Sequence, residues 1–72
     1  MNRKINSDKW VRAKRTRANL TQEQLAKESG LTLRDIQRIE KGNLNMGSGK
    51  YIAIADYFGV SMEELLFGEV EE

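Results

Sequence analysis

The chain has 72 residues, with 12 Lys and Arg, 11 Asp and Glu, and no His, Cys or Pro. Without Cys or His there is no disulfide framework, no thiolate zinc site and no usual general base, so metal and catalytic roles are disfavoured. No apolar run approaches the roughly 20 residues of a membrane span, and the basic N-terminus lacks an apolar signal core, which points to a soluble cytoplasmic chain of one domain.

The expected elements are all helices. Ser7 or Asp8 can cap a first helix that runs through about Ala18, with Asn19 as its stop. Thr21 and Gln24 have capping-box spacing and open a second helix to about Ser29. Gly30 follows as a left-handed stop. Thr32 caps a third helix that ends near Lys41, with Asp35 as an acid in its first turn. Residues 43–49 read as a loop. A fourth helix is expected over about Lys50–Phe58, with Gly47 or Ser48 as its cap, and it stops at Gly59. Ser61 and Glu64 form another capping box, opening a short fifth helix to about Phe67. No segment alternates long enough for a strand.

Apolar spacing nominates Val11, Leu25, Ala26, Ile36 and Ile39 as core in the first three helices. Tyr51, Ile52, Ile54, Ala55 and Phe58 are expected to line the fourth helix inwardly. Leu31 would plug into the core after the turn, and Val60, Leu65 and Leu66 close the far end. The fold class is therefore all-α, a compact five-helix bundle with its core over about residues 8–67.

The near-neutral total hides a gradient. Residues 1–41 carry a net +6, and residues 42–72 a net −5. A basic face for a polyanion and an acidic end held away from it would look like this, as would two solvated helix surfaces of opposite sign.

The stretch RAKRTRANLTQEQLAKESGLTLRDIQRIEKG resembles the helix-turn-helix of the Xre family, which includes the lambdoid phage repressors and Cro proteins. IAIADYFGVSMEELL resembles that family's last two helices. Together they cover roughly residues 11–67, nearly the whole chain. The resemblance implies a lambda-repressor-like domain whose third helix enters the major groove of double-stranded DNA.

The base-reading positions of that family fall on Leu33, Arg34, Gln37 and Arg38. The chemistry agrees, since Arg can bond both major-groove acceptors of guanine and Gln those of adenine, while Leu can pack on a thymine methyl. Gln22 matches a phosphate contact at the start of the second helix. Thr32 could touch a phosphate or simply cap its helix. Lys14, Arg17, Lys41 and Lys50 are candidates for non-specific phosphate contact, as are Asn43 and Asn45 in the loop. Arg15 and Glu40 match an ion pair between the first and third helices, a structural role.

Related proteins usually dimerise, so a homodimer is implied. Met62, Leu66, Phe67, Val70 and Tyr57 are the interface candidates, although Leu65 and Leu66 could instead cover the underside of the monomer. The resemblance implies a dimeric repressor on a palindromic operator. A restriction-modification controller is an alternative, because Gly42-Asn-Leu-Asn45-Met resembles that group's loop. An antitoxin or coactivator that binds a regulatory protein partner is another. No cofactor, metal or catalytic constellation is expected.

Overall fold

Helix ends are set by local chemistry in most places. The computed structural model describes residues 4–43 and 45–70, in the order α1 (Ser7–Arg17), α2 (Gln22–Ser29), α3 (Leu33–Glu40), α4 (Ser48–Phe58) and α5 (Met62–Phe67). No strand occurs among the described residues, and no helix is long and apolar enough to cross a membrane. Leu44 of the loop, Arg3 of the basic end, and Glu71 and Glu72 of the acidic end lie outside the described residues.

Thr21 accepts the Gln24 N–H at 3.1 Å, and Gln24 accepts the Thr21 N–H at 2.8 Å. Thr32 and Asp35 make the same reciprocal pair on α3, both at 3.1 Å. Each box satisfies two donors that the helix leaves orphaned. Gly30 at φ 79° turns the chain from α2 into α3, in a region where residues with a Cβ are strained.

Three expectations need correction. Neither Ser7 nor Asp8 caps α1. The cap position is Asn6, whose N–H donates to the Leu66 carbonyl at 2.6 Å and whose side chain donates to Gly68 at 3.3 Å. This bond draws the start of α1 onto the end of α5, and Ser7 becomes buried. Next, α4 begins two residues early, because Lys50 N–H closes a first turn onto the Gly47 carbonyl at 3.1 Å. Last, the Ser61 box is only half formed. Ser61 caps Glu64 N–H, but the Glu64 carboxylate accepts from the Trp10 indole N–H at 3.0 Å instead.

Trp10 is the core residue that helical spacing alone did not nominate. It is 1% exposed and meets Phe58 edge to face at a centroid distance of 5.7 Å. Conversely, Ile52 is 45% exposed and leaves the core. Tyr51, Ile54, Ala55 and Phe58 define one face of α4, and Ile52 lies about 100° off it. Val11, Leu25, Ile36, Ile39, Ile54 and Leu65 are fully buried between the helices. Leu31, Val60 and Leu66 pack against them.

Two polar networks orient α3. In the first, Arg15 grips Glu40 with Nε at 2.7 Å and Nη2 at 3.0 Å, and its Nη1 donates to the Leu20 carbonyl at 2.9 Å. The bond to Glu40 raises the pKa of the Arg15 guanidinium, with burial opposing. In the second, Lys50 of α4 reaches Asp35 at 3.2 Å. The Thr32 N–H is the main cause holding the Asp35 carboxyl below its ordinary 3.8. Burial opposes it and Lys50 reinforces it.

Glu40→Gln leaves the Arg15 guanidinium, 15% exposed, without its counter-charge. The expected loss is about 3 kcal/mol in urea unfolding; a loss within error of zero contradicts a buried pair. Because the folded Asp35 carboxyl titrates below the unfolded one, its contribution is complete above that ordinary value and lost as pH falls through the folded value. Asp35→Asn should therefore lower stability by about 1 kcal/mol at neutral pH. Thermal melts should show this gap closing in acid, whereas a gap independent of pH counts against the assignment.

Candidate nucleic-acid interface

Ile36 and Ile39 bury one side of α3 completely, and the Thr32 box fixes its start. The opposite side carries Arg34, Gln37 and Arg38, all exposed, with Lys41 exposed at its end. Residues four apart on a helix stack in a row. Arg34 and Arg38 make one row, and Leu33, Gln37 and Lys41 make the next.

The second row runs alongside the start of α2. Leu33 is half-buried there, in a groove shared with Thr21, Gln22, Glu23 and Gln37. Gln22 and Gln37 also border an adjoining cleft with Arg12, Arg15, Glu40 and Lys41. The two depressions share Gln22 and Gln37 and so adjoin along α3. Leu33 and Gln37 line the first, while Arg34 and Arg38 stand exposed on the neighbouring row of the same helix and line neither.

Expected phosphate contacts divide into two sets. Gln22 sits at the first position of α2, and its side-chain N–H donates to Glu40 at 3.2 Å. Thr32 is occupied as a cap, with its hydroxyl oxygen accepting from Asp35 N–H. Lys41, Asn43 and Asn45 cluster beyond the end of α3. Asn43 N–H bonds the Arg38 carbonyl at 3.0 Å, its side chain accepts from Asn45 N–H at 2.9 Å, and its carbonyl accepts from Tyr51 at 2.8 Å. This bonding ties Asn43 and Asn45 to the end of α3 and to α4.

Lys14 and Arg17 are not brought to this surface. They lie beside Trp10, Glu69 and Val70, on the side of α1 turned away from Arg12 and Arg15. Lys14 places its ammonium 5.4 Å from the Trp10 ring centroid, within cation–π range. Lys50 is engaged by Asp35.

Arg12 was not singled out from sequence. Its Nη2 donates to the Glu40 carbonyl at 2.8 Å, and its Nε lies 3.8 Å from the Glu40 carboxylate. The available signal was its three-residue spacing from Arg15, which puts both on one face of α1.

The residues considered for dimerisation partly serve the monomer. Tyr57, Met62, Leu66 and Val70 pack against the core, and Leu65 is fully buried. The Tyr57 hydroxyl donates to Glu28 at 2.9 Å, tying α4 to α2. Phe67 remains half-buried.

Residues 11–65 match a protein-family model described as Helix-turn-helix. Over 54 residues the chain is 41% identical to the uncharacterized HTH-type transcriptional regulator MJ0272 of Methanocaldococcus jannaschii, a match that covers 75% of this chain and 82% of that protein. The DNA-binding domain of the P22 C2 repressor superposes with a TM-score of 0.77 at 22% identity, over 99% of this chain and 92% of that one. The restriction-modification controller protein C.AhdI from Aeromonas hydrophila superposes with a TM-score of 0.73 at 27% identity, over 86% and 90% of the two chains. With its five helices in the repressor arrangement and this motif over most of its length, the chain belongs to the Xre-type helix-turn-helix family of DNA-binding transcriptional regulators.

Proposed function

We propose that the protein is a sequence-specific transcriptional regulator that binds a palindromic operator as a homodimer, in the simplest case as a repressor. The observation that carries this reading is the exposed Arg34, Gln37 and Arg38 surface on a helix whose rotation is fixed by Arg15 and Glu40. Arg34 and Arg38 address guanine, and Gln37 addresses adenine. Leu33, at the floor of the groove beside α2, takes a thymine methyl. Gln22, Thr32, Lys41, Asn43 and Asn45 hold the backbone on either side, giving register rather than sequence.

Two copies would set their reading helices about 34 Å apart. Met62, Leu66, Phe67, Val70 and Tyr57 keep part of their surface exposed and supply the dimer contact in this reading. A restriction-modification controller is the second reading, favoured by the likeness to C.AhdI. A methyltransferase and an endonuclease encoded next door would select it.

Selection of bound duplexes from a random pool tests the main reading, and a palindrome is expected. Arg34→Ala combined with Arg38→Ala should erase the preference for the selected duplex, at about tenfold or more per lost contact. No enrichment at low salt, or a preference untouched by the double substitution, would sink it.

A further inference from the structure

The groove between the start of α2 and the row of Leu33 and Gln37 holds an acid without an assigned role. Glu23 lines it together with Thr21 and Gln22. The acids buried on α3 are answered inside the domain, Asp35 by Lys50 and Glu40 by Arg15. On α2, Glu28 accepts from the Tyr57 hydroxyl. Glu23 is exposed, and among the described residues no hydrogen bond or ion pair engages its carboxylate. An acid in the first turn favours the helix dipole. That role alone does not explain its place. On α3 the acid of the first turn is also the capping-box partner, whereas on α2 the box partner is the neutral Gln24. The charge of α2 stands on the groove instead.

A carboxylate facing DNA is repelled by phosphate and by most of what the major groove presents. Guanine offers two acceptors there, and thymine an acceptor and a methyl group. The donors are the amino groups of cytosine and adenine. An ionised carboxylate is acceptor-only, so it can bond those amino groups and is opposed by the other edges. Adenine sets an acceptor beside its amino group, which suits the two-sided amide of Gln37. Cytosine presents its amino group alone, which suits a carboxylate.

We propose that Glu23 is a specificity-determining residue that accepts a hydrogen bond from the N4 amino group of a cytosine, in the base pair next to the one that Leu33 covers. The proposal rests on the DNA-binding reading above. Both signs contribute to the choice: cytosine is bonded, while a thymine O4 or guanine O6 in its place meets a negative charge. Glu23 thus adds a recognition element from α2 to the set carried by α3.

The experiment measures affinity of the whole chain for a selected duplex and for a series in which each base pair is exchanged in turn. One C·G pair per half-site should depend on Glu23. Exchanging it for T·A should weaken the wild-type complex about tenfold or more. Glu23→Gln carries a donor as well as an acceptor, so it should remove most of that penalty and leave the penalties at other pairs unchanged. Glu23→Asp keeps an acceptor-only group and should still favour cytosine there. Thermal melts without DNA read the helix-dipole role separately, since it is the same for every duplex. The proposal is overturned if Glu23→Gln leaves every penalty as it was. It is equally overturned if that variant raises affinity for all duplexes by one factor, which is background repulsion without base choice. If Arg34→Ala with Arg38→Ala still erases sequence preference in either case, the DNA-binding reading stands. A wild-type protein that binds none of the duplexes overturns both.

Discussion

Glu40 is the point on which the orientation of α3 depends. The helix is eight residues long and buries only two large apolar side chains completely, Ile36 and Ile39. Apolar contact is non-directional, so two such anchors leave rotation about the helix axis loosely fixed. The bidentate grip of Arg15 removes that freedom, because a charge-assisted fork has a required geometry. Gln22 and Arg12 bring α2 and the rest of α1 to the same residue. A buried pair of this kind is weak as a source of net stability, since desolvation offsets the attraction. Its return here is angular: the outward rows of α3 point in one direction.

The two capping boxes fix the other end of the same lever. α2 and α3 each start with a Thr whose hydroxyl and backbone are both engaged. Lys50 ties Asp35, a member of the second box, to α4. The first turn of α3 is therefore held by its own sequence and by a neighbouring helix together. Both ends of an eight-residue helix are anchored by polar bonds, and its middle by apolar contact. Such a helix can present Arg34, Gln37 and Arg38 without being reorganised by what they touch, which lowers the entropy lost on binding.

What the sequence made legible follows from range. Thr21, Gly30 and Thr32 act on residues within three or four positions, so their roles are written locally. The inward and outward rows of α3 were legible because helical periodicity is strong there. The start of α1 was not, because Asn6 bonds Leu66 and Gly68 at the far end of the chain. Trp10 sits among charged neighbours, and only its meeting with Phe58 and Glu64 makes it core. The same meeting removes Glu64 from its local box. Ile52 is apolar and helical, yet its neighbours on α4 settled which face turned inward. For the site, charge alone did not tell which side of α1 faces α3. Arg12 stands at the cleft and Lys14 and Arg17 stand behind it, although all belong to one basic run.

The bonds from Asn6 to Leu66 and Gly68 have a topological meaning. They bring the beginning and end of the described chain together, beside the face of α1 that turns away from α3. Gly68 lets the chain pass there, because a Cβ would overlap Glu64. The five helices thus form a nearly closed ring with one seam. Joining its ends with a short linker and opening it in the loop after α3 preserves every helix, a rearrangement that domains with adjacent ends tolerate. Anything fused at the seam, on either side, leaves the chain on the face of α1 that turns away from α3.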